Sequence, residues 1–248
     1  MGLFSKKSCS ICGGEIGLLG NRKLEDGNMC KECAAKLSPF FSERRHSTVA
    51  EIEKQLEYRA ANEQEVASFN PTLTLGKNTT VAIDESQGKF IVTSSSKWRE
   101  QNPDVIKFTD VTGCDIDIRQ DRDEEMREGP DGKEVSYNPP RYTYSYDFYI
   151  QIRVNNPYFD EINFKVNDFT VKEEVRGNSV ITQHSADYQA YVDMCNEIKE
   201  SILNIRTEAR SAVEEAAKPK VAVTCKCCGA TTIPDASGRC EFCGGAAE

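Results

Sequence analysis

Four C-x-x-C pairs, two towards each end of the 248-residue chain, constrain its fold more than any other feature. Cys9 and Cys12 are followed, after seventeen residues, by Cys30 and Cys33; Cys225 and Cys228 are followed, after eleven, by Cys240 and Cys243. Two residues between paired thiolates let both sulfurs reach one ion at about 2.3 Å while the intervening amides hydrogen-bond to them, so two pairs close a tetrahedron. Each end is therefore expected to fold around one structural Zn²⁺, held by Cys9, Cys12, Cys30 and Cys33 and by Cys225, Cys228, Cys240 and Cys243. Each set is complete, so the two ions should load independently rather than share a cross-brace. Cys227 competes with Cys228, and the spacing common to the other pairs selects Cys228. Two chemical alternatives use the same thiols: iron in a rubredoxin-like site, and a redox C-x-x-C centre, which needs only one pair.

Eleven cysteines could also form a disulfide scaffold, but MGLFSKKSCS lacks the apolar stretch of a secretory signal, which favours metal binding and a cytoplasmic location. Gly2 and Ser5 match an N-myristoylation start only loosely, and no run of about 18 apolar residues exists to span a bilayer. The net charge of −9 is concentrated: residues 1–68 carry ten basic and ten acidic groups, residues 219–248 three of each, and residues 69–218 eighteen against 27. Four thiolates around Zn²⁺ add formal negative charge at each end, so bulk attraction to phosphate backbones or anionic lipid is disfavoured.

Glycine-rich turns between Cys9 and Cys33 fit tight knuckles and a short hairpin, with a helix starting in CKECAAKL. A second helix is expected over 48–67, where Thr48 and Glu51 have capping-box spacing and Val49, Ile52, Leu56 and Tyr58 fall on one side. From about 71 the period changes to two. Tyr142, Tyr144, Tyr146, Phe148, Ile150, Ile152 and Val154 mark a long half-buried strand. Ile162, Phe164 and Val166 mark its hairpin partner beyond Asn155-Asn156-Pro157. Shorter strands are expected at Leu73–Leu75, Val81–Ile83, Phe90–Val92, Val105–Phe108 and Cys114–Ile118, about seven in all. The segment between Arg119 and Arg141 is charged, turn-rich and aperiodic, which predicts a long mobile loop. From Ser185 a 3.6-residue period returns through Tyr188, Tyr191, Val192, Cys195, Ile198, Ile202 and Ile205, a helix that becomes polar after Ile205 and should stop at Pro219.

Seven antiparallel strands followed by one amphipathic helix is the element order of the pleckstrin-homology-like superfold. The FTDVTGCDI segment, the long strand pair and the helix resemble GRAM and bacterial PH-like domains over about residues 70–206. CSICGG with CKECAAKL resembles a short zinc-finger domain of unknown function found at the start of many bacterial proteins, and CKCCGA with CEFCGG resembles a zinc ribbon. The implied fold class is α+β: a mainly antiparallel PH-like barrel or sandwich capped by a long C-terminal helix and flanked by two zinc modules. Its expected parts are a treble-clef-like finger at 1–45, a helical connector at 46–69, the PH-like domain at 70–206 with its loop at 119–141, a helical linker at 207–220 and the ribbon at 221–248.

Catalytic groups are scarce. His46 and His184 are the two histidines, neither in a recognisable triad, and His184 beside Ser185 and Asp187 reads as part of a helix start. Asp115 and Asp117 should face solvent along a strand, whereas Cys114 and Cys195 occupy apolar positions and should be buried thiols. Trp98 between Lys97 and Arg99 reads as packing rather than a base-stacking platform, and the tyrosine run 142–146 as closing a barrel. The expected function is therefore a non-enzymatic adaptor whose PH-like domain binds a protein or peptide. Nucleic-acid binding through the zinc modules and lipid-headgroup binding by the PH-like domain are the alternatives; Lys6-Lys7 and Arg44-Arg45 are the only short basic clusters.

Overall fold

The first described residues fold as two small hairpins, the turn of the first carrying Cys9 and Cys12 and the second leading into Cys30. In the computed structural model, which describes residues 7–177, 179–217, 222–235 and 237–247, strand β1 (Lys7–Ser8) pairs with β2 (Glu15–Ile16) and β3 (Arg22–Lys23) with β4 (Asn28–Met29). Helix α1 (Lys31–Ala34) starts with Cys30 as its N-cap, and a 3₁₀ turn at Glu43–His46 leads to α2 (Val49–Ser68). The capping box at Thr48 and Glu51 forms as expected, and Asp26 accepts the Val49 N–H at 2.8 Å, tying the helix start to the second hairpin. Ile52 then enters the finger's own core with Leu24 and Met29, all three fully buried.

The middle of the chain makes two four-stranded antiparallel sheets. Strands β5 (Leu73–Gly76), β6 (Thr80–Asp84), β7 (Lys89–Thr93) and β8 (Ile106–Lys107) form a meander, with the short α3 (Trp98–Gln101) before β8. A 3₁₀ turn at Phe108–Asp110 shortens the strand expected at Val105–Phe108. The second sheet is built on β10 (Glu134–Val154): β9 (Val111–Glu128) lies along one edge, β11 (Glu161–Lys165) and β12 (Val171–Arg176) along the other. Helix α4 (Ala186–Ala217) follows, with the Ser185 hydroxyl accepting the Tyr188 N–H at 3.2 Å. Phe148, Ile150 and Ile152 from β10, Phe90 and Phe108 from the meander side, and Cys195, Ile198 and Ile202 from α4 bury their side chains in one core. Each large apolar side chain contributes about 1.5–3 kcal/mol by leaving water.

Four expectations change. Among the described residues no pairing joins the two sheets, so the barrel does not close. The tyrosines at 142–146 lie on a central strand between β9 and β12, so they close nothing. The loop expected at 119–141 is a two-stranded ribbon, β9 running on to Glu128 and β10 returning from Glu134 around the turn at Gly129–Gly132. Both of its faces meet water, so it needs no hydrophobic alternation. It is held by backbone pairing and by cation–π stacks, Arg122 over Tyr142 at 4.8 Å and Arg141 over Tyr137 at 4.0 Å. Strand β12 is an eighth, unexpected strand in the middle of the chain; only Val171 and Val175 of its six residues are buried, too few to show a period.

The chain divides into two compact units, Met1–Ala209 and Arg210–Glu248. In the second unit β13 (Val223–Thr224) pairs with β14 (Thr231–Thr232), and an isolated bridge links Arg239 to Ala246. Among the described residues no helix is long and apolar enough to cross a membrane. Gly2, Ser5, Lys6 and Pro219 lie outside the described residues.

Candidate metal centres

Three of the four knuckles share one backbone design. The first cysteine of each pair accepts, at its carbonyl, the N–H of the glycine after the second: Gly13 to Cys9 at 2.9 Å, Gly229 to Cys225 and Gly244 to Cys240 at 2.8 Å. The first cysteine's own N–H reaches one residue further, to Gly14, Ala230 and Gly245, at 2.8 to 2.9 Å. That tight turn puts Gly13, Gly229 and Gly244 at φ of +73°, +76° and +67°, where a side chain is strained. The fourth pair, Cys30 and Cys33, uses a helix instead: the Cys30 sulfur accepts the Cys33 N–H at 3.3 Å as an N-cap would.

These turns bring the sulfurs of Cys9, Cys12, Cys30 and Cys33 within 4.8 Å of one another, and those of Cys225, Cys228, Cys240 and Cys243 likewise. A tetrahedral ion with metal–sulfur bonds of about 2.3 Å needs sulfur pairs about 3.8 Å apart. Cys12 and Cys30 stand at 3.9 Å, Cys225 and Cys243 at 3.6 Å, and Cys228 and Cys240 at 3.7 Å. Backbone N–H groups point at the sulfurs, including Cys30 to Cys9 at 3.3 Å and Cys227 to Cys225 at 3.4 Å. Burial alone would raise the Cys9 thiol, but the N–H groups of Cys12, Cys30 and Ile11 outweigh it and bring it down to about 6. Burial likewise opposes ionisation of Cys240, and the N–H groups of Cys243 and Phe242 bring it to about 7. Cys33 is pushed up by burial and by the neighbouring thiols. Four thiolates in so small a volume repel one another, and a divalent cation at their centre removes the conflict. The donor set, its spacing and its N–H groups thus fit zinc at both ends.

Cys227 stays outside the second cluster, exposed and close to Gly245, where an added Cβ would come within 3.2 Å of the Cys227 Cβ. Cys114 and Cys195 are buried apart from both clusters, and burial pushes their thiols up to about 12 and about 11. Asp115 pairs with Arg153 at 2.6 Å and Asp117 with Arg119 at 2.8 Å, ordinary ion pairs on a half-exposed face. His184 accompanies the start of α4, its Nδ1 2.8 Å from Glu173 and its ring stacked 3.7 Å from that of Tyr188. Trp98 packs edge-on against Phe69 with the Arg99 guanidinium 4.0 Å above it.

A buried polar clamp escaped the sequence reading. On α2, Ile52, Gln55, Arg59, Asn62 and Val66 form the buried stripe, three of the five polar. Arg59 pairs with the fully buried Asp104 at 2.6 Å and donates to the Asn102 and Lys36 carbonyls. Ser38, from the finger, donates to the other Asp104 oxygen at 2.8 Å. Asn62 donates to Pro103 and accepts from the Val105 N–H. Asn102 adopts a left-handed φ of +48° and returns a bond from its side chain to the Arg59 carbonyl at 2.8 Å. The clamp joins the finger, α2 and the segment entering β8. Polar residues recurring every three or four positions with Ile52 and Val66 were the available signal.

The geometry defines the class: a mixed α+β chain with two closed four-thiol clusters, compatible with two zinc ions. Its residues 7–55 match a domain of unknown function, DUF4428, a segment that includes the first cluster and α2 as far as Gln55. No curated protein and no solved structure matches the chain.

Proposed function

We propose that this chain is a non-enzymatic zinc-binding interaction protein of the bacterial cytoplasm, with two structural zinc ions and a PH-like middle domain that binds a protein or peptide. The carrying observation is the closure of both clusters: four sulfurs surround each centre, leaving no open position at which a water or substrate would be activated. A four-stranded meander, a second antiparallel sheet and a long amphipathic helix over a shared core support the PH-like assignment. The acidic balance of residues 69–218 favours a protein partner over nucleic acid or a lipid headgroup.

Elemental analysis of the purified protein tests the metal half. Two zinc ions per chain are expected, with Cys9→Ser and Cys240→Ser each removing one. One zinc or none, a coloured iron protein, or oxidised C-x-x-C pairs would sink it. Cross-linking capture from a bacterial lysate tests the interaction half: a reproducible protein partner is expected, and repeated failure with the metal-loaded protein counts against it.

A further inference from the structure

The second sheet ends in a long unpaired strand. β9 hydrogen-bonds β10 along its length, and among the described residues no strand pairs with its other edge. Phe148 on β10 donates its N–H to Asn167 and accepts from the Val166 N–H, both on the side away from β9. Ile118, which faces Phe148, belongs to the same non-bonded position of the ladder, so its N–H and C=O also point outward. The alternation extends this to Gln120, Arg122 and Glu124, and in the other direction to Thr112, whose carbonyl accepts from Arg206 at 3.3 Å. From Ile118 onward every β9 residue is exposed.

The charges on this edge are sorted. Between Asp115 and Glu128 the strand carries seven acidic and three basic residues. All three arginines lean across the ladder onto tyrosines of β10: Arg119 over Tyr149 at 3.9 Å, Arg122 over Tyr142 at 4.8 Å and Arg127 over Tyr137 at 5.8 Å. Asp121, Asp123, Glu124 and Glu128 take part in none of the ion pairs among the described residues. A charged edge also guards against aggregation. Asp121 Oδ1 accepts the Arg122 N–H at 2.9 Å, a local bond that an incoming strand would replace. An edge whose cations are drawn inward while four of its seven carboxylates stay outside any ion pair has a preferred partner.

We infer that the β9 edge, from Ile118 to Glu124, is a strand-addition site for an extended basic peptide segment of a partner protein, with lysine or arginine at alternate positions facing Asp121 and Asp123. This rests on the interaction reading above and specifies its surface. The outward N–H and C=O groups supply affinity, and the carboxylates, two residues apart on one face, set the spacing of the cations. A second copy of the chain is a poor occupant, because antiparallel β9 strands would set carboxylate rows against each other. Anionic lipid and nucleic acid meet the same repulsion.

The test uses the full-length, zinc-loaded protein and a labelled nine-residue peptide of alternating lysine and threonine, with two further peptides N-methylated on the backbone amides of one strand edge or of the other. Fluorescence anisotropy should show saturable binding that weakens with salt. N-methylation in the pairing register, or Asp121→Lys with Asp123→Lys, should weaken it by about tenfold or more. Hydrogen exchange should slow at Ile118, Gln120, Arg122 and Glu124. No binding, equal binding of both N-methylated registers and the parent, or protection elsewhere would overturn the proposal. A lysate partner captured equally by the doubly substituted protein would also overturn it while leaving the interaction reading intact.

Discussion

The two cysteine clusters have nearly the same sulfur geometry and stand in very different surroundings. The first is set in a finger with fully buried Leu24, Met29 and Ile52, continuous with a 20-residue helix that is clamped to the sheet domain through Arg59, Asn62 and Asp104. The second has Cys225, Cys240 and Ala247 as its buried apolar residues, with Val223 packed beside them. A core of that size cannot offset the entropy of ordering its backbone, so the metal must supply the folding energy of the ribbon. In the finger the metal adds to a structure that already has partners. Equal ligand sets can thus do unequal structural work.

The largest test of that contrast is metal removal. Apparent zinc-binding energies in small finger peptides are about 10–16 kcal/mol, more than such a core provides. Cys240→Ser, or chelation, should therefore abolish amide protection throughout residues 222–247. Cys9→Ser should loosen the hairpins yet leave α2 protected from about Ile52 to Val66. Hydrogen exchange resolves the two regions. Retained protection in the metal-free ribbon, or loss of α2 in the finger variant, would erase the distinction.

The clamp is next in size. Asp104→Ala leaves the Arg59 guanidinium buried without its carboxylate, which should cost about 3–5 kcal/mol in urea unfolding followed by Trp98, the only tryptophan and a reporter of the first unit alone. Adding Arg59→Met should restore much of the loss, since the uncompensated charge goes with it. If Asp104→Ala also makes the finger's protection depend on metal, the clamp is what separates the two clusters.

What could be read from the sequence follows the same division. Spacing alone chose the eight cysteines whose sulfurs converge, because C-x-x-C is a local constraint that survives any tertiary context. The capping box at Thr48 and the apolar stripe from Tyr188 to Ile205 were equally local. The β9–β10 ribbon was illegible because a strand wet on both faces has no period to show, and β12 because its pairing with 141–146 is a long-range event marked by two valines. The clamp was hidden by its polarity: Arg59 and Asn62 look like a solvated face until their partners come from residues 102 to 105.

Acid should destabilise the first unit through Asp84. This buried carboxylate accepts from Asn70 N–H at 2.9 Å, Ser86 Oγ at 2.6 Å and Gln87 N–H at 3.1 Å. Burial raises it, but these donors together hold it below the ordinary carboxylate value. A depressed folded-state pKa gives stability that is fully present above the unfolded value near pH 4 and is lost as pH falls through the folded one. Urea midpoints read from Trp98 should therefore drop below about pH 4 in the native chain, and Asp84→Asn should be less stable at pH 7 with a flatter profile. Parallel profiles would remove Asp84 from the account.

The smallest effect expected is at the start of α2. Thr48 accepts the Glu51 N–H at 3.3 Å, and Glu51 accepts the Thr48 N–H at 2.8 Å, so the pair satisfies two amides that the helix leaves open. Thr48→Ala should cost about 1 kcal/mol. Where that loss falls is the useful part. Val49 N–H is held by Asp26 of the finger, and Ile52, one turn on, is in the finger core. If α2 belongs to the finger, fraying its first turn should speed exchange in β3 and β4 as well as at Val49–Ile52, while the β5–β8 sheet stays unchanged. If exchange rises only within α2, the helix is merely adjacent, and the finger depends on its metal as fully as the ribbon does.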